Sequence, residues 1–222
     1  MAFLLHLLRP EDQFVDVGAN SGSYTVLASA AVGARSTAFE PVPAAFQRLE
    51  ANVRLNNIAA RVSCHNLGLA GTPGMLRFTS GSDTTNHAVA EGEQDPSSIE
   101  VRVTTLDEAL AHAPLLIKID VEGYETPVIN GAIDTLRNSS VKALIVELNG
   151  ASNHYGFDEG VLLQRLLDFG FSTYSYDPFA RELLSLHGKN LSEGNTLFVR
   201  DEAFVKARLK DAPRFSVAGR LL

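Results

Sequence analysis

The sequence predicts an α/β fold: a mostly parallel, seven-stranded sheet with one antiparallel strand and helices on both faces. Short apolar segments alternate along the chain with segments whose apolar residues are helically spaced. The strand candidates are almost continuously apolar, which is typical of parallel strands buried on both faces. A strand pair late in the chain supplies the antiparallel member.

Seven segments are predicted to be strands of this sheet because they are rich in β-branched and aliphatic residues and are bounded by turn formers. They are residues 14–18, 36–40, 62–67, 115–120, 142–148, 171–176 and 195–200. Helical spacing predicts helices over 24–31, 43–56, 126–137 and 161–169. We expect an apolar N-terminal helix within 1–12 and polar loops over 150–155 and 177–194.

One segment interrupts the alternation of strands and helices. Residues 75–79 and 99–104 alternate apolar and polar side chains, and the residues between them are almost all polar. The region 75–104 is therefore interpreted as a β-hairpin insertion whose tip acts as a mobile lid. With this insertion included, residues 1–222 are predicted to form a single domain.

Composition excludes several classes of protein. With 19 Lys and Arg against 26 Asp and Glu, the net charge is −7, which argues against binding nucleic acid through a broad basic face. No apolar run approaches the ~20 residues of a membrane span. The single cysteine, Cys64, excludes an intrachain disulfide and fits a reducing compartment. We expect a cytoplasmic protein with neither a nucleic-acid nor a membrane partner, and the sequence leaves a homodimer open.

The strongest local signal is the turn Asp16-Val17-Gly18-Ala19-Asn20-Ser21-Gly22-Ser23, where the first predicted strand passes into a helix. Gly18 and Gly22 permit a tight turn and close approach of a ligand to the backbone. Glu40 follows the second strand 22 positions after Gly18, where an acid commonly binds the ribose hydroxyls of a nucleoside. Pro41 follows it directly. The pattern predicts a nucleoside-containing cofactor.

The turn favours S-adenosylmethionine over NAD. A pyrophosphate-binding turn has the pattern G-x-G-x-x-G and avoids an acid near the phosphates. Here Asp16 lies beside the turn and the third glycine is missing. A carboxylate repels phosphate but suits a ligand that carries an ammonium and a sulfonium group.

Four blocks of sequence together resemble the FkbM-type S-adenosylmethionine-dependent methyltransferases, which have the Rossmann-like class I methyltransferase fold. The blocks are the glycine turn, Phe39-Glu40-Pro41, Leu49-x-x-Asn52-x-x-Leu55-Asn56 and Ile117-Lys118-Ile119-Asp120-Val121-Glu122-Gly123-Tyr124-Glu125. The resemblance extends over about residues 12–200. The Lys-Ile-Asp-Val-Glu-Gly block is its most specific part.

The resemblance implies a role for each matching residue. Asp16, Gly18, Asn20, Gly22 and the adjoining Ser23 would surround the methionine part of the cofactor, and Glu40 with Pro41 the ribose. Asn66, Leu67 and Gly68 would lie near the adenine. Asp120 would lie beside the transferred methyl group.

Catalytic candidates gather at the predicted carboxyl end of the fourth strand, the edge at which α/β sheets bind ligands. Lys118 and Asp120 are the candidates on that strand, although Lys118 could equally form a structural ion pair. His87 in the insertion and His154 in a later loop are candidate general bases. We expect no metal, with Asp120, Glu122 and Glu147 as the weak alternative for a divalent cation.

The leading hypothesis is an O-methyltransferase acting on a hydroxyl of a small molecule or sugar-containing metabolite, the acceptor class that the resemblance suggests. The alternatives are an NAD-dependent oxidoreductase or epimerase, and a catalytically inactive binding module of the same fold. The missing third glycine and the lack of a Tyr-x-x-x-Lys pair argue against the oxidoreductase.

Overall fold

The computed structural model describes residues 1–80, 86–90, 92–93, 96–191, 194–217 and 220–221. Its strands are β1 (Gln13–Val17), β2 (Arg35–Phe39), β3 (Val62–His65), β4 (Gly68–Leu69), β5 (Gly74–Phe78), β6 (Ile99–Thr104), β7 (Leu116–Ile119), β8 (Ala143–Glu147), β9 (Ser172–Asp177), β10 (Glu182–Ser185), β11 (Asn195–Val199), β12 (Ser216–Val217) and β13 (Arg220–Leu221). Its helices are α1 (Ala2–Leu7), α2 (Ser23–Val26), α3 (Pro43–Leu55), α4 (Leu106–Ala109), α5 (Glu125–Asn130), α6 (Ile133–Arg137), α7 (Glu159–Asp168) and α8 (Glu202–Lys210).

The main sheet has the strand order β10-β9-β11-β8-β7-β1-β2-β3. The five strands β8, β7, β1, β2 and β3 pair in parallel, and β11 runs antiparallel to both β8 and β9. All seven predicted strands are present. The predicted α/β fold with a mostly parallel sheet is therefore confirmed.

An eighth strand, β10, corrects the predicted strand count and is a second antiparallel strand. It forms a hairpin with β9 inside the segment 177–194, which was predicted to be a loop. Asp177 makes the connecting turn by accepting hydrogen bonds from the backbone N–H groups of Phe179 and Ala180. Only Leu183 of β10 is buried, so this edge strand has no apolar pattern that sequence alone could detect.

The predicted helix over 126–137 is also corrected, because the structure divides it into α5 and α6. The backbone at Gly131 lies so close to another segment that a Cβ there would be 2.1 Å from the carbonyl oxygen of Ala70. The predicted loop over 150–155 contains a 3-10 turn at Ala151–Tyr155, and the helix of residues 24–31 is α2 followed by a π-helical segment, Leu27–Val32.

Alternation along the strands separates two cores, one on each face of the main sheet. Val15, Ile117 and Leu144 pack on the face covered by α5, α6 and α7. Phe14 and Leu116, each one position earlier in the same strand, pack on the opposite face, which α1 and α8 cover. The N-terminal helix predicted within 1–12 is present as α1. Among the described residues, every helix is too short or too polar to cross a membrane.

The predicted hairpin insertion is present. β5 and β6 pair antiparallel, and β4 joins β6 in parallel to complete a separate three-stranded sheet. Residues 86–90 run back alongside β5. There Phe78 forms an isolated antiparallel β-bridge with Ala88, and the backbone N–H of Thr79 donates a hydrogen bond to the carbonyl oxygen of His87. Residues 81–85, 91 and 94–95 of the expected lid lie outside the described residues, so the lid function stays a prediction.

Candidate functional site

A cavity of about 310 Å³ lies at the carboxyl ends of β1, β2 and β7. Its lining consists of Met1, Gly18, Ala19, Asn20, Ser21, Ser23, Tyr24, Glu40, Pro41, Ala45, Phe78, Asn86, Lys118, Asp120, Val121 and Glu122. Parallel strands all end at this edge, so residues from three distant parts of the chain meet there. Eight of the predicted site residues line the cavity: Gly18, Asn20, Ser23, Glu40, Pro41, Lys118, Asp120 and Glu122.

Gly18 begins the turn between β1 and α2. Its φ of 73° lies in the left-handed region, and a Cβ at this position would be 2.0 Å from the carbonyl oxygen of Asp120. Any larger residue would therefore push β1 away from the chain that follows β7. Asn20 also has a positive φ, of 50°, which asparagine tolerates better than most residues.

Glu40 holds the turn after β1 to the start of α3. One carboxylate oxygen accepts a hydrogen bond of 2.8 Å from the backbone N–H of Asn20, and the other accepts one of 2.9 Å from that of Val42. Burial raises the pKa of this carboxyl, and the two N–H donors oppose the rise. Each carboxylate oxygen keeps a second lone pair for a ligand hydroxyl.

Asp16 lies beneath the cavity instead of in its lining. Its side chain is buried, and one oxygen accepts hydrogen bonds from the backbone N–H of Thr25 at 3.0 Å and from its hydroxyl at 2.7 Å. Its other oxygen is 3.8 Å from Nζ of Lys118, the residue directly opposite in the β1–β7 register. Burial raises the pKa of Asp16, whereas Lys118 and Thr25 lower it.

Lys118 connects the buried acid with the cavity. Its Nζ is 3.1 Å from a carboxylate oxygen of Asp120 and donates a 3.1 Å hydrogen bond to the carbonyl oxygen of Gly18. Burial lowers the pKa of the ammonium group, but Asp16 and Asp120 raise it above its ordinary value overall. The ion pair foreseen as an alternative role for Lys118 is thus present, and it lies within the site.

Asp120 and Glu147 form a pair of carboxyl groups at the ends of β7 and β8. The pKa of Glu147 is raised to about 7. Partial burial is the largest cause, and repulsion from Asp120 and a hydrogen bond to Asp120 add to it. Two carboxyl groups this close to each other titrate as a pair and can share one proton near neutral pH. This pair can hold or release a proton at the edge of the cavity.

A backbone bend after Asp120 directs Glu122 toward the cavity. Glu122 and Gly123 have consecutive positive φ values of 53° and 95°, an unusual conformation for glutamate. A Cβ at Gly123 would be 2.7 Å from the carbonyl group of Ala151, so close packing enforces the bend. Strain of this kind is often found at functional sites.

The residues predicted near the adenine occupy two kinds of position. Leu67 and Gly68 line a small hollow that also includes Gly18 and Pro41, adjoining the main cavity. Asn66 supports the site from outside by donating hydrogen bonds to the carbonyl oxygens of Glu40 and Pro41. Gly22, with a φ of 86°, begins α2 and packs against Leu49.

The two candidate bases, His87 and His154, lie together at the rim, and neither is among the described residues that line the cavity. Glu93 lies between them, with carboxylate oxygens 3.8 Å from Nε2 of His87 and 3.1 Å from Nε2 of His154. Within the described residues, these three form the one group of His, Cys, Asp or Glu whose donor atoms all lie within 4.8 Å of one another. Asp120, Glu122 and Glu147 are not brought into such a group.

A second cavity, of about 340 Å³, was missed by sequence reasoning. Its lining consists of Met1, Ala2, Phe3, Tyr24, Ile145, Ser175, Tyr176, Pro178, Leu191, Asn195 and Leu197. Met1 and Tyr24 line both cavities, so the two adjoin. The amide oxygen of Asn195 is buried without a hydrogen-bond partner among the described residues. No local motif marks this set, because its members come from five separate segments.

The strand order and the cavity at the carboxyl ends of β1, β2 and β7 define a Rossmann-like fold of the methyltransferase class. Residues 16–173 match the methyltransferase FkbM domain, and the chain belongs to this family. The predicted family resemblance is confirmed.

Relatives and a solved structure support this assignment. The chain is 30% identical over 165 residues to Methyltransferase 1 of Beauveria bassiana, covering 63% of this chain and 66% of that protein. It is 30% identical over 177 residues to the hexuronic acid methyltransferase AglP of Haloferax volcanii, covering 77% of this chain and 67% of that protein. The crystal structure of methyltransferase FkbM from Methylobacillus flagellatus shares the fold, with a TM-score of 0.60 and 18% identity. The match covers 86% of this chain and 44% of that one. The chain thus spans about two thirds of these curated relatives and less than half of that structure.

Proposed function

We propose that the protein transfers a methyl group from S-adenosylmethionine to a hydroxyl of a small, sugar-containing acceptor. The observation that carries this proposal is the charge and shape of the main cavity. Three carboxyl groups line it, from Glu40, Asp120 and Glu122, with Lys118 as the cation between them. An acidic cavity that ends on a glycine turn attracts a sulfonium and an ammonium group and repels a pyrophosphate.

Individual residues support binding of this cofactor. Glu40 offers its remaining lone pairs to the two ribose hydroxyls, and the hollow beside Leu67 and Gly68 offers apolar contact to the adenine. Gly18 lets the ligand approach the backbone closely. Asp120 would supply a negative charge that stabilises the positive sulfur of the bound cofactor.

The second cavity suits the acceptor. It combines apolar surface from Phe3, Ile145 and Leu197 with polar groups from Tyr176 and Asn195. A sugar ring has an apolar face and a rim of hydroxyls, so it matches both kinds of surface. The amide oxygen of Asn195, which has no hydrogen-bond partner among the described residues, would accept a hydrogen bond from one such hydroxyl. The similarity to a hexuronic acid methyltransferase favours a sugar acid or its glycoside among possible acceptors.

The reaction needs alignment and one proton acceptor. The acceptor oxygen attacks the methyl carbon in line with the breaking bond to sulfur, and the hydroxyl proton leaves. Asp120 and Glu147 lie at the carboxyl ends of adjacent strands, where they can take up that proton as a pair. The products are S-adenosylhomocysteine, a methyl ether and one proton.

Calorimetric titration with S-adenosylhomocysteine tests cofactor binding. We expect a one-to-one complex with a dissociation constant between low micromolar and sub-millimolar, and no heat of binding with NAD. Replacing Glu40 with Ala should weaken the complex by roughly 1.5–3 kcal/mol, the size of charge-assisted hydrogen bonds. Glu50→Ala, which alters an exposed acid on α3, should leave the affinity unchanged.

Each possible result has a clear meaning. Because Glu40 also holds two backbone N–H groups, thermal unfolding of the Ala variant must show that the fold persists at the titration temperature. Unchanged affinity in a folded Glu40→Ala protein, or tight binding of NAD, contradicts the proposal.

The acceptor is then sought with a tritiated methyl donor and a panel of glycosides and uronic acids. Cofactor binding without methylation of any sugar in the panel contradicts the proposed acceptor class.

A further inference from the structure

A cluster of two histidines and one glutamate lies at the rim of the main cavity. His87 and Glu93 belong to the hairpin insertion between β5 and β6, and His154 belongs to the 3-10 turn after β8. Their donor atoms lie within 4.8 Å of one another although the two segments are about sixty residues apart in sequence. The edge-to-face arrangement of His87 and His154, with ring centroids 5.8 Å apart, brings both imidazoles to the same carboxylate.

The donor set has the chemistry of a transition-metal site. Two imidazole nitrogens and one carboxylate oxygen are ligands that Zn²⁺ and similar divalent cations bind well. Donors around a tetrahedral zinc ion are separated by about 3.4 Å when each bond is about 2.1 Å long. Nε2 of His154 is 3.1 Å from Oε2 of Glu93, and Nε2 of His87 is 3.8 Å from Oε1. One donor atom from each residue lies within 4.8 Å of the others, so small side-chain rotations would bring the three to that spacing. The side chains are 30–49% exposed, which leaves room for water as a fourth ligand.

Hydrogen bonds around the cluster hold its members in place. The backbone N–H of Ala90 donates a 2.9 Å hydrogen bond to the Glu93 carboxylate and fixes its orientation. The Tyr155 hydroxyl donates a 2.7 Å hydrogen bond to the carbonyl oxygen of Ala88, joining the two segments a second time. The Tyr155 ring also packs edge-on against His154, with centroids 5.0 Å apart. Such supporting contacts are typical of metal sites.

We propose that His87, Glu93 and His154 bind one Zn²⁺ ion, which fastens the tip of the β5–β6 hairpin to the turn Ala151–Tyr155. The site is distinct from the carboxyl groups of the main cavity. Asn86 lines that cavity and immediately precedes His87, so the metal fixes one wall of the cavity without taking part in the reaction. The inference does not depend on the proposed methyl transfer.

Titration of the full chain with zinc chloride, after dialysis against EDTA, tests the site. We expect one equivalent of Zn²⁺ to bind, and His87→Ala and His154→Ala each to weaken binding at least about 10-fold, as for other changes at metal sites. The double variant should lose the site. His112→Ala and His187→Ala alter exposed histidines elsewhere and serve as matched controls with unchanged affinity.

A second measurement separates a metal site from a simple ion pair. Cobalt added to the metal-free protein should give a visible absorption band that is absent from the double variant. Amide exchange at residues 88–90 and 152–155 should slow when Zn²⁺ is added. Failure of the wild-type chain to bind Zn²⁺, or equal binding by the double variant, overturns the proposal. Loss of binding in Asp120→Asn with no loss in the histidine variants overturns it as well, because the metal would then lie among the cavity acids.

Discussion

Lys118 is the residue on which the charges of the site depend. Its ammonium group lies between Asp16, which is buried, and Asp120, which is partly exposed to the cavity. A buried carboxylate is costly unless a cation is close by. Lys118 therefore stabilises the fold and also tunes the charge of the site.

Replacing Lys118 with Met should destabilise the protein by about 3–5 kcal/mol, since the substitution leaves Asp16 buried without its cation. Asp16→Asn in the same protein should recover part of the loss, because an amide needs no counterion. Urea unfolding of the wild type, both single variants and the double variant measures the coupling. Strictly additive losses would mean that Asp16 and Lys118 do not interact.

Asp120→Asn should affect turnover more than folding. Asp120 lines the cavity and its side chain is 28% exposed, so water can solvate the amide that replaces it. We expect a small change in melting temperature and a rate loss of ~100-fold or more, the scale of a lost acid–base contribution. Thermal unfolding and single-turnover methyl transfer are measured on the same preparation.

Asp107→Asn is a matched control with the opposite expected pattern. The Asp107 carboxylate accepts hydrogen bonds from the backbone N–H groups of Asp134 and Thr135 at the start of α6, and none of these residues lines the cavity. Its loss should lower stability and leave the rate intact. If Asp120→Asn behaves in the same way, Asp120 has a structural role only.

At the scale of elements, a buried acid joins the segment after β7 to the 3-10 turn after β8. One oxygen of Glu125 accepts hydrogen bonds from the backbone N–H groups of Val121 and Gly123, and the other accepts one from the Ser152 hydroxyl. Burial raises the pKa of Glu125 to about 7 against an ordinary value of 4.5, and the N–H donors offset only part of the rise. Glu125 lies in the first turn of α5, and nothing in the local sequence predicts its burial.

This pKa predicts how stability depends on pH. Between pH 4.5 and about 7 the unfolded chain loses the Glu125 proton while the folded chain keeps it, so stability falls as pH rises. Glu125→Gln mimics the protonated acid and removes that fall. At pH 4 the variant should match the wild type, and at pH 8 it should be more stable by at most about 3 kcal/mol.

Urea unfolding at both pH values measures this difference. Glu159→Gln serves as the comparison, because Glu159 accepts hydrogen bonds from the same turn, at Gly150 and Ser152, but is more exposed. It should not reproduce the gain at pH 8. Equal stability of wild type and Glu125→Gln at pH 8 would contradict the raised pKa.

At the scale of the whole molecule, the sheet is stabilised from both faces, and the N-terminal helix α1 belongs to one of the two cores. Leu4 of α1 is 0% exposed and packs with Phe14 of β1 and Leu209 of α8. Arg208 of α8 also donates a hydrogen bond to the carbonyl oxygen of Leu7 at the end of α1 and pairs with Asp12 in the segment that follows the helix. Residues that precede the first strand are therefore part of the folded domain.

Leu4→Ala should cost about 2–5 kcal/mol, the range for truncating a buried leucine. Leu55→Ala, the same change at a residue 78% exposed, should alter stability by less than about 0.5 kcal/mol. Chemical unfolding of both variants gives the comparison. Similar small effects would show that α1 does not contribute to the core.

The sequence by itself determined the features that depend on neighbours in the chain. Strand periodicity, the glycine turn at Gly18 and the acid at Glu40 are local patterns, because backbone conformation and burial impose them over a few residues. These patterns were sufficient for the α/β class, the hairpin insertion and the edge of the sheet that carries the site.

Only the tertiary structure decided which distant residues meet. The β1–β7 register placed Asp16 opposite Lys118 and beneath the cavity, because the pairing of two strands fixes which of their alternating side chains meet. The pairing of β10, the second cavity and the convergence of His87 with His154 arise in the same way. Contacts between segments far apart in sequence leave no periodic signal, since they depend on register and packing that are set only when the whole chain folds.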